Sequence, residues 1–228
     1  MHEGRDGAAG GQPGVDHGSD RPVVAFDFDG TITSKDTFRF FLTRIRTKRS
    51  LAATFVIQGP RMAPAIQGGA ARDAAKRALC LRALGGLTRH EAEAAAAATA
   101  DEIERTLLRP DTASRIRWHQ ARGDRIIVVS ASFDAYVRRV AASLGIDEVI
   151  ATRWKVEPES DVLTGLLDGP NVRGEAKVAL LEEHLGGPCT LEYAYGNSSG
   201  DTAMLARARH GIWVGRRPLA ELGDGTPP

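Results

Sequence analysis

Two aspartates spaced two positions apart, Asp27 and Asp29, stand at the end of the apolar run VVAF, and Gly30 follows them as a turn signal. Carboxylates taken out of water are costly unless they are paired, hydrogen-bonded or bound to a cation, so a divalent metal is the natural companion of such a pair. The chemistry open to it is nucleophilic attack by one carboxylate and proton transfer by the other. The plainer reading of an isolated Asp-x-Asp-Gly is a strand end that caps the next turn. Partners elsewhere in the chain favour the chemical reading.

The elements that would position these groups can be traced in order. Val23 to Phe28 reads as a buried strand, and alternate residues of a strand share a face, which predicts Asp27 and Asp29 on one side. RIIVVS, residues 125–130, is a second apolar strand ending in the Ser130 hydroxyl, where an amide and a hydroxyl can hold a phosphoryl oxygen. Ser132 is placed to cap the helix FDAYVRRVAASLG. Lys177 falls in the first turn of the helix RGEAKVALLEEHL, where a cation opposes the macrodipole and a surface lysine is the common finding. TLEYAYGNSSGDTAML reads as a third strand, a Gly and Ser loop carrying Asn197 and Asp201, and a helix starting near Thr202.

Taken in order, Asp-x-Asp-Gly-Thr, strand-Ser, Lys and Gly-Asn-Ser-Ser-Gly-Asp resemble the four motifs of the haloacid dehalogenase-like hydrolase superfamily, over residues 22–216. The set is most similar to its subfamily IB, containing phosphoserine phosphatases and the phosphatidylglycerophosphatase C type, whose helical cap is inserted just after the first motif. The resemblance implies Asp27 as nucleophile, Asp29 as general acid and base, and Thr31, Ser130 and Lys177 as phosphate ligands. Lys177 would also orient the nucleophile, and Asp27, Asp29, Asn197 and Asp201 would surround Mg²⁺. Asn197 departs from the pattern, since phosphoserine phosphatases carry an aspartate there. Its amide oxygen can still ligate a hard cation, with one less negative charge. Ala131-Ser132-Phe133 departs as well, standing where phosphoserine phosphatases place glycines after the motif serine.

The expected activity is Mg²⁺-dependent hydrolysis of a phosphomonoester through an aspartyl phosphate. Asp29 argues against dehalogenation, because a halide leaves without a proton. A small or lipid-linked phosphomonoester ranks first as substrate and phosphoserine below it. A phosphate-binding or regulatory module of low activity stays open as a different class, supported by Asn197.

Composition agrees with one α/β core and a small inserted domain: 228 residues, 42% hydrophobic and 6% aromatic. The expected fold is a Rossmann-like three-layer parallel-sheet core, residues 21–35 and 109–216, with a helical cap at 36–108. Within that cap, TFRFFLTRIRTKR, AARDAAKRALCLRAL and TRHEAEAAAAATADEIERTLL read as helices, with Gln58-Gly-Pro60 and Gln67-Gly-Gly69 as breaks and Thr88 with Glu91 as a capping box. About four helices would cover the carboxyl ends of the strands, where ligands bind in open α/β sheets. VIATRWKVEPESDVLTGLLDG alternates as a β-hairpin turning at Glu159-Ser160-Asp161.

A net charge of +1 provides no general attraction to nucleic acid, and the two cysteines, Cys80 and Cys189, fit a reduced, cytoplasmic protein. The His residues form no close pair that would suggest a metal site. Residues 1–20, rich in Gly and Asp without an apolar stretch, read as a disordered tail rather than a signal peptide, and residues 217–228 as a loose one. In the first cap helix Phe38, Phe41, Leu42 and Ile45 share a face, ringed by Arg39, Arg44, Arg46, Lys48 and Arg49. A core stripe with a solvated basic side is the favoured reading, and binding of an anionic substrate or lipid headgroup the sharper one. LAATFVIQGPRMAPAI falls short of the ~20 apolar residues of a membrane span, so membrane contact would be peripheral. The oligomeric state is not encoded in any pattern of the chain.

Overall fold

The computed structural model describes residues 21–45 and 70–219. The expected tail at 1–20, the breaks at Gln58-Gly-Pro60 and Gln67-Gly-Gly69, the basic end of the first cap helix, LAATFVIQGPRMAPAI and residues 220–228 lie outside the described residues.

Six strands form one sheet in the order β4-β3-β2-β1-β5-β6. β1 (Val23–Phe26) is at its centre, between β2 (Arg125–Phe133) and β5 (Leu191–Gly196), both parallel to it. β3 (Glu148–Glu157) and β6 (Ala208–Trp213) extend the parallel sheet on either side, and β4 (Val162–Asp168) folds back antiparallel on β3. The hairpin turns between Glu157 and Val162, with Asp161 at a φ of 55°, a left-handed conformation that Asp tolerates better than most side chains.

Strand alternation divides the interior into two layers of apolar side chains. Val24, Phe26, Val128, Tyr193 and Tyr195 belong to one buried cluster, while Ala25, Ile127, Val129 and Ala194 belong to the other. Helices cover both faces, giving the three-layer α/β architecture expected of the sequence. The second cluster is closed by α6 (Glu175–Leu185) through Leu181 and by α7 (Thr202–Ala206) through Met204.

Among the described residues, three helices lie between β1 and α4 (Pro110–Ala121): α1 (Thr37–Ile45), α2 (Ala70–Leu84) and α3 (Arg89–Thr106). Their apolar faces, through Phe41, Leu42, Leu84 and Ile103, join the same cluster as the β1 side chains and as Tyr136 and Val140 of α5 (Asp134–Ser143). Ala92, Ala96, Ala100 and Ile103 repeat at helical spacing along the buried side of α3. Its start is fixed by the Thr88 and Glu91 capping box: Thr88 Oγ1 accepts the Glu91 N–H at 3.2 Å, and Glu91 Oε2 accepts the Thr88 N–H at 2.9 Å. Among the described residues no helix is long and apolar enough to cross a membrane.

Candidate functional site

The carboxyl ends of β1, β2 and β5 open into a cleft of about 800 Å³, roofed by the start of α1 and by α2. Asp27, Asp29, Lys177, Asn197 and Asp201 line it together with Lys76, Ser132 and Asn171. Residues from opposite ends of the sequence thus meet at one end of the sheet, as Asp27 and Asp201 do through Lys177.

β1 ends two residues earlier than the expected Val23 to Phe28 strand. The Asp27 N–H still bonds to Tyr195 O at 2.9 Å, but the Phe28 carbonyl then accepts the amides of Thr31, Ile32 and Thr33 at 3.2, 2.9 and 3.0 Å. Gly30, at a φ of 77°, closes this turn, and a Cβ there would stand 1.8 Å from the Asn197 amide nitrogen. Asp27 is therefore the last residue held by the sheet, and Asp29 lies in the turn. The expectation that the two carboxylates share a strand face does not hold; their side chains serve different partners.

Asp27 faces Lys177. Lys177 Nζ, 1% exposed, donates to Asp27 Oδ1 at 2.6 Å, to Asp201 Oδ1 at 2.7 Å and to Val129 O at 2.6 Å. All three ammonium hydrogens are thereby used. This lysine is in the first turn of α6 yet is buried rather than on the surface, because α6 packs against β2 and brings the ammonium group to Val129 O. The other Asp27 oxygen accepts the Thr31 hydroxyl at 3.0 Å. Asp201 Oδ2 collects the Asn197 N–H at 3.1 Å and the Ser198 N–H and hydroxyl, each at 2.9 Å, so the fourth-motif loop folds around its own carboxylate. Gly196 is required there, since a Cβ would approach Asp201 Cβ to 2.5 Å.

The electrostatics follow from burial. Burial pushes Asp27 up to about 6 in spite of Lys177, with Asp201 and Asp29 adding repulsion. Burial also pulls Asp201 upward, but Lys177 and the Ser198 donors outweigh it and hold this carboxyl below the usual range. Lys177 loses stability as a cation through burial and regains more from Asp27 and Asp201, so it stays charged. Asp27 and Asp201 flank the fully buried Lys177 ammonium group, with Asp29 in the same cleft; carboxylate oxygens gathered in this way suit a hard divalent cation, while across the whole lining the five carboxylates, with Asp36 and Asp73, are matched by Lys35, Arg39, Lys76, Arg173 and Lys177. Asn197 adds a neutral amide to the same wall.

Asp29 is seated by hydroxyls. Its Oδ1 accepts the Thr37 N–H at 2.7 Å and the Thr37 hydroxyl at 2.6 Å, and its Oδ2 accepts the Ser132 hydroxyl. Burial raises this carboxyl, the Ser132 and Thr37 donors opposing it. Ser132 therefore does not cap the helix after β2 as expected; that helix begins at Asp134 with no side-chain cap. Ser130 is fully buried and its hydroxyl oxygen accepts the Ser132 N–H at 2.9 Å. Thr31 is equally buried against Asp27.

A second lysine enters the site without a sequence expectation. Lys76 of α2 reaches across the cleft and donates to Ala131 O and to Asn171 Oδ1, the latter at 2.5 Å, while Asn171 Nδ2 donates to Asp73 Oδ1 at 2.7 Å. Its ammonium group lies 5.0 Å from the Phe38 ring centre, and burial lowers it to about 8. The sequence does hold a signal: Asp73, Lys76 and Cys80 follow a three-four spacing, which sets two charges along the apolar stripe of α2. Asn171 carries no such signal, because its role depends on the loop ahead of α6.

A family model described as haloacid dehalogenase-like hydrolase matches residues 24–206. The chain is 38% identical over 190 residues to Protein CicA of Caulobacter vibrioides, covering 82% of each chain. Its fold is similar to a Bordetella pertussis Tohama I protein of unknown function, at a TM-score of 0.66 and 22% identity over 82% of this chain and 87% of that one. It is also similar to a phospho-aspartyl intermediate analogue of phosphoserine phosphatase, at a TM-score of 0.59 and 22% identity over 83% of this chain and 84% of that one. Because the family match takes in every site residue from Asp27 to Asp201, the chain belongs to the haloacid dehalogenase-like hydrolases.

Proposed function

We propose that this protein is a cytoplasmic phosphomonoesterase that works through an aspartyl phosphate on Asp27 and requires Mg²⁺. The observation that carries the reading is the buried Lys177 ammonium group clamped between Asp27 and Asp201 at the cleft floor. A buried salt bridge is weak support for stability, and this one lines a cleft, which points to chemistry instead.

In the first half-reaction an Asp27 oxygen attacks phosphorus while the ester P–O bond breaks, and Asp29 delivers a proton to the departing oxygen. In the second, a water oxygen attacks the same phosphorus, Asp29 takes the water proton, and the Asp27–phosphorus bond breaks to release inorganic phosphate. Lys177 holds the nucleophile in one orientation and offsets negative charge on the phosphoryl oxygens. Ser130, whose hydroxyl oxygen accepts an amide, keeps its hydroxyl hydrogen for a phosphoryl oxygen, and Thr31 would turn from Asp27 toward the same group. Asp27, Asp201 and Asn197 would hold the magnesium, while the Asp29 carboxylate, hydrogen-bonded to Thr37 and Ser132, is assigned the proton transfer. Bound Mg²⁺ supplies further charge neutralisation at the phosphoryl group.

The substrate we favour is a small or lipid-linked phosphomonoester. Phosphoserine ranks lower, although structurally similar proteins are described as phosphoserine phosphatases, because Ala131 and Ser132 stand at the phosphate end of the cleft. Phosphate release from p-nitrophenyl phosphate with and without Mg²⁺ tests the reaction, and a panel of sugar, amino-acid, nucleotide and vesicle-borne lipid phosphates tests the substrate. Asp27→Asn keeps the side-chain shape without a nucleophilic carboxylate and is expected to abolish turnover while the fold persists. Unchanged release by purified Asp27→Asn would remove the nucleophile assignment. Failure of the unmodified protein to release phosphate from any of the panel would favour the phosphate-binding alternative that Asn197 suggests.

A further inference from the structure

The hydroxyls around Asp29 do more than satisfy a buried carboxylate. Thr37, Ser132 and Tyr136 are fully buried, and they come from three places: the first residue of α1, the end of β2 and the first turn of α5. Thr37 Oγ1 stands 3.4 Å from Ser132 Oγ and 3.3 Å from Tyr136 Oη, so the three hydroxyls form one connected group behind the carboxylate. The two Asp29 oxygens are treated unequally. Oδ1 is anchored by two donors on Thr37, one of them a backbone N–H that can only donate. Oδ2 has a single hydroxyl partner, Ser132.

That difference has a chemical meaning. A backbone N–H needs an unprotonated oxygen, that of a carboxylate or the carbonyl oxygen of an acid, which leaves Oδ1 poorly suited to carry a proton. A hydroxyl can donate to a carboxylate oxygen and, after rotation about one bond, accept from a carboxylic acid. Ser132 thus suits both protonation states of Oδ2, where glycine, the residue of phosphoserine phosphatases in this stretch, has no side chain to offer.

We infer that Ser132 is a positioning residue for the hydrolytic reaction, keeping Oδ2 of Asp29 as the oxygen that exchanges the proton in both half-reactions. The inference rests on the reading of Asp29 as general acid and base. In the structure the Ser132 hydroxyl donates to Oδ2, and by rotating it can accept from the same oxygen when that oxygen carries the proton. With the ester oxygen in place the proton turns to it and transfers as the P–O bond breaks, the bonding electrons leaving with that oxygen. Ser132 then donates to the resulting carboxylate. In the second half-reaction the attacking water gives its proton to Oδ2 as its oxygen bonds to phosphorus, and Ser132 returns to accepting. Because Oδ1 is tied to the first residue of α1, this arrangement exists only while that helix start is docked on the core.

The test compares single-turnover phosphorylation by two probes, p-nitrophenyl phosphate and whichever alkyl phosphate of the panel the unmodified protein turns over fastest. Asp29→Asn, Ser132→Ala, Ser132→Thr and Thr37→Val are measured side by side. A good leaving group needs little protonation, so a defect in proton delivery appears chiefly with the alkyl probe. Ser132→Ala is expected to slow the alkyl reaction about tenfold and the aryl reaction about threefold or less, without a change in KM. Ser132→Thr should recover most of the alkyl rate, and Thr37→Val should show the same selectivity as Ser132→Ala. A general packing defect would slow both probes alike. If Asp29→Asn is leaving-group selective and Ser132→Ala is not, Ser132 has no part in positioning and the general-acid reading stands. If Asp29→Asn itself affects both probes equally, the general-acid reading fails and this inference with it. Should Ser132→Ala not fold, a Ser132→Thr enzyme with a lost alkyl rate and a retained aryl rate, or a nonselective Thr37→Val, overturns the inference.

Discussion

On the proposed Mg²⁺-dependent reading, the side-chain amide of Asn197 is the group through which metal affinity can be tested. Asn197 lines the cleft beside Asp201, whose two oxygens already receive Lys177 and the loop donors. An added carboxylate at this position increases the negative charge available to a hard cation, so Asn197→Asp is expected to lower the Mg²⁺ concentration at half-maximal activity, by about tenfold if one charged ligand is gained. Asp201→Asn should raise that concentration and lower the rate, since it also frees one Lys177 hydrogen. Activity against Mg²⁺ at saturating substrate reads both changes. Midpoints unchanged in both variants would locate the metal away from this loop.

Among the helices, the start of α1 and one face of α2 are fastened to the core through polar contacts at the cleft as well as through apolar packing. Lys76 connects α2 to the end of β2 through Ala131 O and to the loop before α6 through Asn171, and Asp73 takes the other side of the Asn171 amide. Lys76→Met preserves the length of the stem over Phe38 and Phe133 but removes the donors, leaving the Ala131 carbonyl without this partner. The expected loss is about 1–3 kcal/mol of unfolding free energy, measured by denaturant titration. A Lys76→Met protein as stable as the parent would mean that the apolar face of α2 seats the helix unaided. The capping box at the start of α3 is the contrasting case: its reciprocal hydrogen bonds are complete within four residues of sequence.

For the protein taken as one folding unit, a buried polar cluster on the side of the sheet covered by α4 links stability to pH. His119 is fully buried, with Nδ1 2.7 Å from Asp124 Oδ2 and Nε2 2.9 Å from the Tyr195 hydroxyl. Burial lowers it from 6.5 to about 4, with Asp124 pulling in the opposite direction. Below pH 6.5 the unfolded chain takes up a proton at this residue that the folded chain refuses until about pH 4, so stability falls as pH drops through that window. The contribution is on the order of 3 kcal/mol, fully present above pH 6.5. His119→Gln should be less stable at pH 7 and lose less between pH 6.5 and 4 than the parent; an equal slope in both would assign the acid sensitivity to other groups. Tyr195 joins this cluster to the active end of the sheet, since its carbonyl receives the Asp27 N–H.

The chain alone determined the parallel α/β architecture, the order of its motifs and the approximate ends of its long elements, because those depend on local period, turn residues and caps. Val24, Phe26, Ile127 and Val129 already declare by alternation that both faces of the sheet are covered. The residues that build the site were legible as types in an ordered set: Asp27, Asp29, Lys177, Asn197 and Asp201 all line one cleft. What each does to its neighbours was decided by the tertiary structure. Lys177 looked like any first-turn lysine until the packing of α6 under β2 buried it, and the two aspartates parted because the chain leaves the sheet after Asp27. Ser132 looked like a helix cap, and a hydroxyl one turn from a helix start is equally free to bond elsewhere once another carboxylate comes within reach. Lys76 and Asn171 meet across 95 residues of sequence, and a hydrogen bond of that span leaves no local pattern to read.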